Sequence, residues 1–412
     1  MTAERSAGRG KEAWAVTGLG AVASLGTHPG DLWARLVDGA TGVGPIDLFD
    51  PAAPAPNQAC EVRGFDAARY LGPRGLRGID RSGRLALVAA GLALQQLPAP
   101  LDPLETGVVL GTGFGSVHSI AAFDRASLQE GPSYVNPADF PNTTINAAAS
   151  QVGIRWGLKG LNCTVSSGFC AGLDAFGCAT GYLEAGLCRA ALVGGVEELC
   201  LESLLGFFHS GLLALPDGEP APARPFDRRR RGAVLGEGAC MSVVEPESRA
   251  VSAGRPVLAR ILAYGSAHSG GCGPDSRAMA RSMALALERA GLLPRDVDLV
   301  VAGASGAPEG DREEALALLK VFGAGGGRAR ICAPKGALGE CYGSAGALCV
   351  LVAVLALETG VVPPTAGFEE TDLGLSRVSG SAVTGELNLA LVHAFGCDGR
   401  SSALVLEASQ TR

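Results

Sequence analysis

Residues 163–177, CTVSSGFCAGLDAFG, read as a strand, a tight turn and then a helix of small residues. A bend of this kind holds one side chain at a helix N-terminus, where the backbone dipoles stabilise a thiolate or alkoxide. The apex here is Phe169, which has no nucleophilic atom, and Cys170 follows one step later. Successive side chains at a bend point in different directions, so Cys170 is expected to face the packed interior. Two readings stand side by side: a bend without its chemistry, or an elbow shifted by one residue and working through Cys170. Imidazole, the usual partner of such a nucleophile, is scarce, with His28, His118, His209, His268 and His393 the five in the chain.

The elements that must position this bend follow from the apolar pattern. Short apolar runs ending in glycine, such as TGVVLGTG, AALVGGVEE, DLVVAGASG and LNLALVHAFG, alternate with helical patterns such as RSGRLALVAAGLALQQL and SAGALCVLVAVLALETG. That alternation marks sheets covered by helices. The same plan occurs twice, a helix of small residues after a Gly-rich turn and a closing pair of strands. The seam falls near 246–256, giving a polar tail over 1–12 that is expected to be disordered, one half over 13–250 and a second over 251–412. With 412 residues and 47% hydrophobic content, the chain can bury a large core. A net charge of −7 gives no reason to expect a nucleic-acid binder, and the basic residues are scattered apart from one run at Arg228, Arg229, Arg230 and Arg231. The first dozen residues have no apolar core of a secretory signal, and no apolar run reaches membrane-spanning length. The twelve cysteines are spread through apolar runs without a CxxC pair, which predicts reduced thiols in a cytoplasmic protein and no metal site.

Several stretches in order resemble the β-ketoacyl-acyl-carrier-protein synthases: VTGLGAVASLG (16–26), GTGFGSVHS (111–119), INAAASQVGIRWGLKG (145–160), RPFDRRRRGAVLGEGA (224–239), APEGDREEA, APKGALGECYGSAGA, GVVPPT and HAFGCDG. The resemblance implies an α/β thiolase fold of two similar halves in a five-layered αβαβα sandwich, normally dimeric and without a cofactor. It also implies a cysteine nucleophile and two histidines that steady the enolate and thioester oxygens. Carried over residue by residue, those positions hold Phe169, Gly303 and Glu340. Lys335 survives from the usual set, and Phe395 matches the phenylalanine that gates the acyl pocket, or is an ordinary core aromatic beside a glycine turn.

SGFCAGLDA is similar to the elbow of chain-length factors, the inert partners of active ketosynthases in type II polyketide systems, which have glutamine where Phe169 stands. That resemblance implies a heterodimer with an active ketosynthase, contact with acyl carrier protein and a shared tunnel for the growing chain. Cys163, Thr164, Val165 and Ser166 would lie in the strand that pairs across the two-fold axis. Val117, Ile120 and Asp124, at i, i+3 and i+7, would face the tunnel, unless the helix is rotated to put Asp124 in solvent and Phe123 inside. Small residues there favour a long linear or polyene product. The arginine run would either dock an acidic carrier protein or be simply solvated. The competing function classes are a stand-alone condensing or decarboxylating acyltransferase using Cys170, and a scaffold that leaves the product unchanged.

Overall fold

The computed structural model describes residues 13–51, 53–215 and 222–409; the polar tail over 1–12 lies outside them. The long strands are β1 (Trp14–Ala23), β2 (Thr106–Gly111), β3 (Asn162–Val165), β4 (Ala190–Glu197), β5 (Gly238–Pro246), β6 (Ala259–His268), β7 (Leu299–Val301), β8 (Arg330–Cys332), β9 (Leu389–Phe395) and β10 (Arg400–Ala408). They form a 10-stranded sheet in the order β8-β7-β9-β10-β6-β1-β5-β4-β2-β3. Outward from the centre, one arm runs β1-β5-β4-β2-β3 and the other β6-β10-β9-β7-β8. Adding five to each strand number converts the first arm into the second, and strand polarity matches at each step. The repeated plan read from the sequence is therefore a repeated topology. The arms join through three residue pairs, Trp14–Val16 against Ala259–Ile261.

The main helices are α1 (Arg81–Gln95), α2 (Val117–Glu130), α3 (Ala147–Trp156), α4 (Ala171–Glu184), α5 (Leu201–His209), α6 (Ser276–Ala290), α7 (Pro308–Phe322) and α8 (Ala345–Thr359). α1 and α3 cover the outer face of the first arm, and α6 and α7 that of the second. Asp80 caps α1 by accepting the Gly83 N–H at 2.7 Å, and Asp275 caps α6 by accepting the Arg277 and Ala278 N–H groups. α4 and α8 lie between the arms and touch both. The result is five layers, as expected. α8 is apolar on every face and buries 12 of its residues, so it occupies the centre rather than a membrane. The tightest packing is where the N-termini of α4 and α8 meet. A Cβ at Gly172 would come within 2.7 Å of the Gly343 carbonyl oxygen, and one at Gly346 within 2.7 Å of the Leu173 nitrogen. Small residues at these two helix starts let the paired bends sit back to back.

The seam between the halves is more ordered than its charged and turn residues suggest. Glu247–Ser252 form a short helix there, tied to β6 by an Arg260–Glu247 ion pair at 2.5 Å.

Three buried carboxyl groups knit loops to this frame. Glu197 accepts the backbone N–H groups of Gly113, Phe114 and Gly343, and Asp311 those of Phe226, Ser305 and Gly306. Burial pushes Glu197 up to about 7, Glu198 up to about 8 and Asp311 up to about 7. Between the ordinary carboxyl range and these values the unfolded chain has released protons that the folded chain keeps. Stability therefore falls as pH rises through this interval, by an amount on the order of 3 kcal/mol per group once each is ionised. The melting temperature is expected to be lower at about pH 8.5 than at about pH 5.5, with Glu198→Gln removing the upper part of the decline. A flat or rising melting temperature over that span would contradict the assignment.

Candidate functional site

β3 runs into Ser166 and Ser167, the chain turns at Gly168 with φ +65°, and a single 3-10 turn over Gly168–Cys170 leads into α4. Phe169 stands in this turn and is 6% exposed. Its ring lies 4.4 Å from that of Tyr342 and 5.9 Å from that of Phe207, both edge-on, and Phe114 stacks on Tyr342 at 4.4 Å. Four rings thus fill the space in front of the helix N-terminus. Tyr342 has φ +46°, unusual for a residue with a side chain, and a Cβ at Gly113 would overlap its ring. Sequence reasoning picked out Phe169 and missed Phe114, Phe207 and Tyr342. The available signal was their position beside glycines (GTGFG, LLGFF, ECYGS) in a chain with only 5% aromatic residues.

Cys170 is fully buried, and its thiol is directed at the Ala394 carbonyl oxygen, 3.6 Å away. Burial first, then the Asp174 carboxylate, pushes the thiol well above its ordinary range. It is a protonated core thiol at neutral pH, which is the opposite of what a nucleophile needs.

Gly303 follows β7, and its N–H donates to Glu314 Oε1 at 2.8 Å. A Cβ here would sit 3.0 Å from Phe395 Cδ1 and 3.1 Å from the His393 carbonyl oxygen, so no larger side chain enters without moving Phe395. Phe395 is 9% exposed and stacks on His393 with ring centroids 5.8 Å apart. The His393 imidazole is fully engaged: Nδ1 lies 2.5 Å from Glu314 Oε1 and Nε2 2.9 Å from Ser401 Oγ. His118 is exposed, where Nδ1 lies 3.1 Å from Glu202, and His28 caps a surface helix. The structure brings Phe169, Cys170, Phe395 and Glu340 around one centre without supplying a free imidazole there among the described residues.

Glu340 is turned inward and paired. Lys335 Nζ donates to Glu340 Oε2 at 2.8 Å, with side chains 5% and 2% exposed, and the Tyr342 N–H donates to Glu340 Oε1 at 3.1 Å. Burial opposes the lysine charge, but the Glu340 carboxylate outweighs it and holds the ammonium above its ordinary range. Lysine and glutamate are consumed by each other.

The remaining sequence candidates fall elsewhere. β3 ends the sheet order and pairs with β2 on its inner side. Cys163, Thr164 and Val165 are half-buried along it, Ser166 is exposed, and Thr164 Oγ1 is buried without a hydrogen-bond partner. On α2, which has no fully buried residue, Val117 and Ile120 are half-buried and Asp124 is exposed. Phe123 packs edge-on against Phe140 at 6.0 Å. Leu128, Tyr134, Phe140 and Ile154 add exposed apolar surface, at 87%, 77%, 58% and 75%.

The arginine run is paired within the chain. Arg228 pairs with Glu370 at 2.5 Å, Arg229 with Asp227 and Glu369 at 2.8 Å, and Arg230 with Asp372 at 2.6 Å. Arg228, Arg229 and Arg230, basic in sequence, thus face four acids in space. Asp227 is adjacent in sequence, but Glu369, Glu370 and Asp372 lie some 140 residues further along the chain, which is why charge counting along the sequence could not find them.

Two arms of identical topology around paired central helices, with the bend of each arm at the middle, define a thiolase-fold ketosynthase. The chain belongs to the β-ketoacyl synthase family: the N-terminal domain of beta-ketoacyl synthase matches residues 11–250 and the C-terminal domain residues 258–369. It is 35% identical over 403 residues to the tetracenomycin polyketide synthase ketoacyl synthase beta subunit of Streptomyces glaucescens, covering 95% of this chain and 97% of that one. It is 32% identical over 406 residues to 3-oxoacyl-[acyl-carrier-protein] synthase 2 of Coxiella burnetii, covering 95% and 97%. Among solved structures, the ishigamide ketosynthase/chain length factor superposes with a TM-score of 0.90 at 28% identity, covering 97% of this chain and 100% of that one.

Proposed function

We propose that this chain is a non-catalytic ketosynthase-like subunit that pairs with an active ketosynthase and sets chain length while malonyl units are condensed from acyl carrier protein. One observation carries the reading. Phe169 stands where the resemblance calls for a nucleophile, and rings, rather than a thiol and two imidazoles, occupy the centre. Condensation needs a sulfur to carry the acyl group and donors to hold the developing oxyanions. Gly303 and the lysine-paired Glu340 supply neither donor. The similarity to a ketoacyl synthase beta subunit and to a ketosynthase/chain length factor pair points the same way, whereas the similarity to 3-oxoacyl synthases shows only the shared family.

The partner would cover what the single chain leaves open. β3 offers an unpaired edge, the helix carrying the exposed Ile154 packs beside it, and Leu128 and Phe140 add exposed apolar surface elsewhere in this half. Exposed apolar area of this extent is normally covered by another chain. Val117 and Ile120 on α2 would then line the end of the partner's tunnel, and Asp124 would cap its polar rim. Replacing Val117 or Ile120 with tryptophan is expected to shorten the products of the reconstituted pair without lowering total condensation. Unchanged product lengths would remove these residues from the tunnel.

The rival reading, a stand-alone acyltransferase working through Cys170, conflicts with the burial of that thiol and its raised pKa. The deciding experiment is expression of the chain with and without a ketosynthase partner, followed by assay of condensation from malonyl carrier protein. Turnover should require the partner. Turnover by this chain alone would overturn the proposal.

A further inference from the structure

Two exposed cysteines lie on neighbouring loops at the edge of the central bend. Cys272 lies in the loop after β6, and Cys397 in the turn between β9 and β10. Beyond the last ladder pair of β6 and β10, His268 with Arg400, the two loops stay in contact. The Ser269 N–H donates to the Gly399 carbonyl at 3.0 Å, and the Gly273 N–H to the Cys397 carbonyl at 2.7 Å. A Cβ at Gly399 would collide with the Gly271 carbonyl oxygen, so the backbones are as close as glycine permits. A backbone hydrogen bond from the residue after Cys272 to Cys397 itself keeps the two cysteines on adjoining backbone, and a disulfide needs their α-carbons within roughly 4.4–6.8 Å.

We propose that Cys272 and Cys397 are a reversible thiol–disulfide pair that clamps the loop after β6 to the turn after β9 when the protein meets a peroxide. Burial first and then Asp398 raise the Cys397 thiol, which suits it to the resolving role. The Cys272 thiolate displaces hydroxide from hydrogen peroxide and becomes a sulfenic acid. The Cys397 sulfur then attacks that sulfur, and the S–S bond forms as water leaves. Two thiols are oxidised, one peroxide is reduced to two waters, and both thiol protons end in water. A dithiol reverses the step by exchange. Transient disulfides of this type are compatible with a reducing compartment.

The location gives the pair a target. Cys397 lies two residues after Phe395, and the neighbouring Asp398 carboxylate faces Gly168 at the bend. A bridge would therefore restrain the turn that borders Phe169 and Phe395. The bridge itself does not depend on the chain-length reading, because its formation is read without any assay of condensation.

The test uses the reduced full-length chain, exposed to hydrogen peroxide, alkylated without denaturant and digested under non-reducing conditions. The expected result is a linked peptide joining Cys272 to Cys397, loss of both from the alkylated set, and recovery of both with dithiothreitol. Cys272→Ser and Cys397→Ser should each abolish the linked peptide, and both positions are exposed, so the fold tolerates them. Continued alkylation of both thiols after peroxide, or their conversion to sulfinic acid without a linked peptide, would overturn the proposal.

Discussion

Phe169→Cys, which restores a thiol at the bend, is expected to leave the chain unable to condense malonyl carrier protein. The new sulfur would stand at the start of α4, where the helix dipole favours its thiolate. Nothing beside it would hold the oxyanions. Loss of a single oxyanion donor costs about 10²–10³ in rate, so the absence of two places turnover at least about 10⁴ below a working ketosynthase. Adding the histidines does not repair the site. Gly303→His must displace Phe395, whose ring already lies 3.0 Å from where the Cβ would be. Glu340→His removes the carboxylate that Lys335 depends on. The measurement is condensation by the purified variant without a partner, with mass spectrometry of the thiol for acyl transfer. Turnover by Phe169→Cys within about tenfold of an active ketosynthase would show that the donors come from elsewhere.

The second large effect concerns stability. Glu340→Ala leaves the Lys335 ammonium charged in surroundings that expose 5% of its side chain. Breaking one side of a buried ion pair costs about 3–5 kcal/mol, because the remaining charge is desolvated and unpaired. It also frees the Tyr342 N–H, which donates to the same carboxylate, and so loosens the ring packed on Phe169. Replacing both partners, Lys335→Met with Glu340→Leu, removes the charge together with its counter-charge and should recover most of the loss. Denaturant titration of the three variants measures the coupling directly. A Glu340→Ala variant within about 1 kcal/mol of the parent would mean that water reaches the pair.

How much was legible in the linear chain varied with the range of the interaction. Strands such as AALVGGVEE and LNLALVHAFG and helices such as SAGALCVLVAVLALETG stand in the structure where their apolar periods put them, because those periods record burial by the element itself. The helix inside the 246–256 seam was obscured by charges whose partner, Arg260, lies in the next strand. Contacts made at long range left no local trace. Glu340 reads in sequence as a repulsive anion, and its neutralisation by Lys335 depends on how the turn before α8 folds inward.

The sequence by itself determined the layer plan, the repeat and the identity of the side chains at the bend, since each of these follows from residue type and local order. Only the tertiary structure decided which groups are free to act. It buried Cys170, closed the bend around Phe169 with rings drawn from three distant segments, and matched the arginine run against acids near residue 370. The physical reason is that a charge or a thiol takes its reactivity from desolvation and from neighbours within a few ångströms, and in a fold built on a ten-stranded sheet most of those neighbours are remote in the chain.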